Sequence, residues 1–286
     1  MLDFTGTQVV AIFAHPDDEA FTIGGVLSAF ADRGATITLI TATRGEEGEI
    51  AHPSLATPDT LGAVRERELL DAAAILGIAS VRFLDFRDSG MFGTGSNGNP
   101  DAFIQQPTEQ VAAQLAGILA EIRPDVVITF SEEGGYLHPD HVHIHDAVAA
   151  TGQLAPELVP HQYYSSFPRE FFQEIANQDH GAFAGMSEER RARMGQPLAA
   201  FTLVANVEPY IDRKIAAFAA HKTQQPKEGD RSFIEDEETR RMFARNEFYI
   251  HVPTASTAED PLARLAADLP GSTFEGAEIT QPTLSS

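Results

Sequence analysis

Short apolar runs punctuate the first half of the chain at 8–14 (QVVAIFA), 36–41 (TITLIT), 81–84 and 126–130 (VVITF). Continuous runs of this length, rich in Val, Ile and Thr, are what strands buried on both faces show. Between them lie longer segments with helical spacing: 20–33, then 62–76 (GAVRERELLDAAAIL) closed by Gly77, then 108–122. Glycine ends a helix in this way because it accepts the left-handed conformation just past the last turn. Strands alternating with helices predict an α/β fold, a Rossmann-like doubly wound and mostly parallel sheet with helices on both faces.

The pattern weakens beyond Ala150. Residues 155–200 mix prolines, aromatics and a charged cluster from Glu188 to Arg193, and read as an accessory insertion or lid. A further strand at 201–205 and a helix at 209–221, with Pro209 at its start, follow. Residues 253–286 hold four prolines, nine Ser or Thr and one basic residue, which predicts an extended or partly disordered C-terminal tail. The chain therefore reads as a single domain over 1–252 followed by that tail.

Composition then limits the partners. With 20 Lys plus Arg against 42 Asp plus Glu in 286 residues, the net charge is −22, and long-range repulsion opposes binding to nucleic acid or to an anionic membrane surface. Cysteine is absent, which removes disulfides, thiolate metal sites and cysteine nucleophiles. The first residues lack the basic and apolar regions of a signal peptide, and no apolar run reaches the roughly 18 residues of a membrane span. A cytoplasmic protein with a small-molecule partner is expected.

The chemistry collects where strands end, which is where open α/β sheets bind ligands. The first strand runs into AHPDDE, so His15, Asp17 and Asp18 stand at its end; an imidazole and a carboxylate three apart on a turn suit a divalent metal ion. Acids at this position also complement a helix N-terminus, an alternative the motif alone leaves open. The fourth strand runs into SEEGGYLHPDH, adding Tyr136, His138, Asp140 and His141 at the same edge. Satisfying so many polar side chains together in a buried structural role is costly, and two converging clusters favour a metal site.

On AHPDDE at 14–19 and HPDH at 138–141, each directly after a strand, the chain resembles the LmbE-like, or PIG-L, family of zinc-dependent N-acetylglucosaminyl deacetylases. TRGEEGE at 43–49, the helix from Arg65 to Gly77, RDSGM at 87–91 and KIAAFAAHKTQ at 214–224 extend the resemblance over about residues 8–224. The resemblance implies His15, Asp18 and His141 as ligands of Zn2+, with Fe2+ able to take the same place, and Asp17 as general base. It implies that His138 acts on the tetrahedral intermediate and the leaving amine, that Asp140 orients the His138 ring, and that Tyr136 polarises the carbonyl. Arg65 and Asp88, with Arg44 and Glu47 on the same rim, are implied as contacts to an N-acetylated amino-sugar conjugate. His143 and His145 continue the histidine run but are expected to sit behind the ligands or at the surface.

Two other classes share some of these features. Two histidines and a carboxylate also form the facial triad of non-haem Fe(II) oxygenases, although here the spacing is HxxD on an α/β sheet rather than HxD on a β-barrel. A non-catalytic sugar-binding protein on the same fold would have no need of Asp17, His138 and Asp140 together.

Overall fold

In the computed structural model, which describes residues 2–170, 187–225 and 244–274, the apolar runs become the strands of one eight-stranded sheet. These are β1 (Gln8–Phe13), β2 (Thr36–Thr41), β3 (Ser80–Phe83), β4 (Val126–Phe130), β5 (Gln162–Ser166), β6 (Leu203–Asn206), β7 (Asn246–Val252) and β8 (Thr273–Phe274). Their order is β3-β2-β1-β4-β5-β7-β6-β8. The first five are parallel, while β7, β6 and β8 add on as antiparallel neighbours. Val9 to Phe13 of β1 are fully buried, as expected of a central strand covered on both faces.

Helices fill the crossovers: α1 (Asp18–Ala31), α2 (Leu61–Leu76), α3 (Thr108–Ile122), the short α4 (Gly134–Leu137), α5 (Pro139–Leu154) and α6 (Ile211–Ala220). α1, α2 and α6 pack on one another, and α3 pairs with α5, giving the two helical layers of a doubly wound fold. α2 ends at Gly77, whose φ of 81° is the left-handed cap the sequence predicts. Its buried stripe holds Leu61, Leu69, Ala72 and Leu76, but also Arg65 and Glu68. Charged residues on the inner face of a helix must find partners there: Glu68 accepts the N–H and the hydroxyl of Thr223, and Arg65 reaches the site described below. Among the described residues, no helix is long and apolar enough to cross a membrane.

Two expectations need correction. The stretch 155–200 is not wholly an insertion, because β5 lies within it as an interior strand between β4 and β7. Its sequence, QYYSS, has no apolar run to announce it; residues 171–186 lie outside the described residues. The segment from 253 is no loose tail either. α7 (Pro261–Asp268) begins at Asp260, whose carboxylate caps Leu262 and Ala263. Leu262, Leu265, Ala266 and Leu269 are buried in the main core, at the i, i+3, i+4, i+7 spacing of an amphipathic helix, and β8 then pairs with β6. Proline, read as a breaker, here occupies the first helical position, where its missing N–H costs nothing. Residues 275–286 lie outside the described residues.

Candidate metal centre and active site

Strand order reverses between β1 and β4: the chain leaves β1 for β2 on one side and later returns to β4 on the other. Such a switch point opens a crevice at the carboxyl ends of the two strands. His15, Asp17 and Asp18 enter it from β1, and Tyr136, His138, Asp140 and His141 from β4, so the structure brings the two predicted clusters together.

Three side chains form a triangle, to which Asp18 presents both carboxylate oxygens. His15 Nδ1 is 3.1 Å from His141 Nε2, His141 Nε2 is 3.3 Å from Asp18 Oδ1, and His15 Nδ1 is 3.8 Å from Asp18 Oδ2. All three residues are buried. The outer ring nitrogens fix the tautomers. His141 Nδ1 faces the Gly134 carbonyl at 3.1 Å, and His15 Nε2 faces the carboxylates of Asp140 at 3.1 Å and Asp88 at 3.4 Å. With both rings neutral each outer nitrogen donates, which turns the two inner lone pairs toward one another and toward Asp18. A proton on His15, which its carboxylate neighbours favour, or a metal ion in its place resolves that arrangement, and outer hydrogen bonds of this kind are how metal-ligating histidines are usually held. His138 also comes within ligand distance of His15 and His141.

The frame of the triangle is local. Asp18 Oδ2 accepts the backbone N–H groups of Ala14 and His15, and the His141 ring stacks on Phe130 with centroids 4.0 Å apart. Gly134 has a φ of 59°, and a Cβ there would stand 2.6 Å from the Cβ of His141. Only glycine lets that carbonyl reach the ring.

Asp17 adopts a φ of 112°, a strain of roughly 1–3 kcal/mol for a non-glycine residue. Arg65 holds it there: its guanidinium donates to Asp17 Oδ2 at 3.2 Å, to the Pro16 carbonyl and to the Gly45 carbonyl at 3.0 Å. Gly45 makes room, since a Cβ would lie 2.3 Å from the guanidinium carbon. Burial raises the Asp17 carboxyl above its ordinary value, with Arg65 pulling the other way. His138 differs from His15. Burial and the neighbouring His15 push the His138 ring down to about 3, whereas at His15 burial is outweighed by Asp88 and Asp140, which hold it well above the usual histidine range.

The remaining predicted residues divide. Asp140 is fully buried, but its carboxylate turns to His15 and to the Ser89 N–H at 3.0 Å. It touches His138 only through its backbone, whose N–H donates to His138 Nδ1 at 3.2 Å. The expectation that Asp140 orients His138 is thus replaced by one in which it orients His15. Tyr136 is half-buried, with its ring 5.1 Å from that of His141, and burial raises its hydroxyl well above the usual tyrosine value.

Asp88 is buried beside His15 and accepts the N–H groups of Glu47 and Gly90. Arg65, expected to reach the substrate, is 3% exposed and committed to Asp17 and two carbonyls. Arg44 pairs with Glu66 and Asp85 and lies over the Phe83 ring, in a groove with Glu46, Pro58, Asp59 and Gly62. Glu47 pairs with Arg87 at the rim. His145 is buried and bonded to the Phe130 carbonyl, and His143 packs on Phe103.

The sequence motifs contain Glu19 and His221 but assign neither a role at the site. His221 Nε2 lies 2.8 Å from Glu19 Oε1, and Glu19 Oε2 accepts the Asp17 N–H at 3.1 Å. His221 falls inside the KIAAFAAHKTQ segment, so the signal was present without its partner.

Comparison with known proteins adds a family and a fold. The PIG-L family, described as GlcNAc-PI de-N-acetylase, matches residues 10–151. The 1D-myo-inositol 2-acetamido-2-deoxy-alpha-D-glucopyranoside deacetylase of Acidothermus cellulolyticus is 36% identical over 267 residues, covering 88% of this chain and 91% of its own. The N,N'-diacetylchitobiose deacetylase of Pyrococcus horikoshii superposes with a TM-score of 0.60 at 19% identity, over 89% of this chain and 88% of its own. The 4-carboxy-2-hydroxymuconate hydratase GalB of Pseudomonas putida also superposes, with a TM-score of 0.55 at 17% identity, over 88% of this chain and 99% of its own. The fold thus carries more than one chemistry, and the residues must decide between them.

Proposed function

The chain belongs to the PIG-L family and is a deacetylase, and on that premise we propose that it is a zinc enzyme that removes the acetyl group from an N-acetylglucosamine conjugate of inositol type. The observation that carries this is the His15–Asp18–His141 triangle with Asp17 and His138 beside it. Two imidazoles and one carboxylate fit zinc, which when bound in such a three-ligand site polarises a carbonyl and lowers the pKa of water to about 7. The inositol conjugate is supported by the named activity of the 36% identical relative.

Each protein group then has a task. Asp17, raised by burial and fixed by Arg65, takes a proton from the attacking water and returns it to the leaving nitrogen as the C–N bond breaks, which yields acetate and a free amine. His138 accepts the Asp140 N–H at Nδ1, so its proton sits on Nε2. With a ring held neutral, it donates a hydrogen bond to the developing oxyanion rather than a proton. Tyr136 supplies a second donor toward that oxygen from α4, the short turn directly before α5. Asp140 and Asp88 act through His15 by fixing its tautomer. Glu47 and Arg87 remain at the rim as the groups best exposed to sugar hydroxyls.

The test is amine release from an N-acetylglucosamine–inositol conjugate by zinc-loaded protein, beside Asp17→Asn. Loss of a general base is expected to lower kcat by about 10²–10⁴ while the metal-to-protein ratio stays unchanged. Wild-type activity in the variant would refute Asp17 as the base. Cleavage of other N-acetylated sugars in preference to the inositol conjugate would overturn the substrate assignment alone.

A further inference from the structure

A second cluster of metal-binding side chains lies at the other edge of the sheet. His161 precedes β5 and shares a face with Tyr163, two residues on, and Tyr163 is the direct cross-strand partner of His251 on β7. The segment leading into α7 brings Asp260 onto the same spot. His161 Nδ1 is 3.6 Å and His251 Nε2 3.9 Å from Asp260 Oδ2, and the three donor atoms all lie within 4.8 Å of one another. Because Gln162 pairs with Val127 near the start of β4, this cluster sits at the amino end of the parallel strands, opposite the catalytic crevice.

The surroundings are those of a built site. Asp260 Oδ1 is committed to the Leu262 and Ala263 N–H groups, and Tyr163 donates to Oδ2 at 2.6 Å, fixing the carboxylate while leaving a lone pair inward. The far nitrogen of His161, Nε2, faces the Ser256 hydroxyl at 3.5 Å, so its Nδ1 is free to point at Asp260. His251 Nε2 is buried and has no hydrogen-bond partner. An orphaned buried ring nitrogen aimed at a carboxylate and a second imidazole is a polar group in want of a ligand.

We propose that His161, His251 and Asp260 form a second metal site, structural rather than catalytic, that takes zinc or a similar divalent ion and ties the C-terminal segment to the sheet. The donor set of two imidazoles and one carboxylate suits Zn2+, and the outer contacts from Tyr163 and Ser256 are the kind that orient zinc ligands. Tetrahedral bonds of ~2.0–2.1 Å place ligand atoms ~3.3 Å apart, and a small rotation of the half-exposed His251 ring closes the remaining distance. The ion would join three segments far apart in sequence, namely the β5 entry, the end of β7 and the α7 cap, and so hold α7 on the core.

The full-length protein, loaded with zinc alone and freed of unbound metal, is expected to carry two equivalents by elemental analysis. His251→Ala should halve that ratio with its deacetylase kcat unchanged, and His15→Ala should also halve it by emptying the other site. Zinc should in addition slow tryptic cleavage after Arg264, the one basic residue of 253–286, in wild type and in His15→Ala but not in His251→Ala. His161→Gln provides the same comparison if His251→Ala misfolds. A single equivalent in wild type that His15→Ala removes, or two equivalents in both His251→Ala and His161→Gln, would overturn the site without touching the deacetylase reading.

Discussion

Two clusters of histidine and aspartate sit at opposite edges of one sheet, and they are assembled by different means. At the carboxyl edge, the residues arrive in two contiguous motifs, 14–19 and 136–141, each laid out by one strand end and the helix start that follows it. At the amino edge, His161, His251 and Asp260 arrive from three segments and meet only because β5 pairs with β7 in one register and α7 packs beneath them. Short-range geometry writes a site into the spacing of letters, whereas long-range pairing leaves no such mark. The same contrast runs inside the catalytic crevice, whose ligands are local but whose Asp17 is held by residues from α2 and from beyond α6.

The largest test of that second dependence is Arg65. If its guanidinium holds Asp17 in the left-handed region, Arg65→Lys loses the geometry that bridges Asp17 and two carbonyls at once. A misplaced base is expected to lower kcat about 10²-fold with KM for the sugar unchanged. Steady-state kinetics decides the matter, since a rise in KM at constant kcat would return Arg65 to the substrate-binding role expected of it from sequence. At the other edge, Leu265→Ala measures whether α7 belongs to the core. A fully buried leucine costs roughly 2–5 kcal/mol on truncation, read as a lower urea midpoint, whereas a loose tail would leave the midpoint where it was.

How much of this was legible follows from the same distinction. β1, β2, β4 and helices α2 and α3 were readable because each carries its own periodicity or its own cap. β5 was not, because QYYSS is buried by its neighbours rather than by its composition. α7 was hidden by the Ser, Thr and Pro around it, although Leu262, Leu265, Ala266 and Leu269 already had helical spacing. At the site, the identities of His15, Asp18 and His141 were visible, but the partner of Asp140 was not. A single residue, Pro139, separates Asp140 from His138 in sequence, yet the first turn of α5 points its carboxylate across the crevice to His15. Arg65 was visible as a residue but its hold on Asp17 was not, since a helix stripe tells which side chains face inward and not what they meet.

The smallest effect concerns His221, the most distant support of the catalytic edge. Its ring is fully buried, bonded to Glu19, and through Glu19 to the Asp17 N–H. Burial opposes charge on the ring, but Glu19 and Asp17 outweigh burial and the nearby Arg65, and hold the pKa above the ordinary 6.5. A folded-state pKa above the unfolded one means that the native protein binds the proton more tightly. The resulting stability is fully present below about pH 6.5 and is lost as pH rises through the folded value. His221→Gln keeps a donor for Glu19 but cannot titrate. The gap in urea-unfolding stability between wild type and variant is therefore expected to be widest below pH 6.5 and to narrow above it. A gap independent of pH would mean that Glu19 holds the Asp17 backbone beside a neutral ring, so that shape rather than charge carries the long-range support.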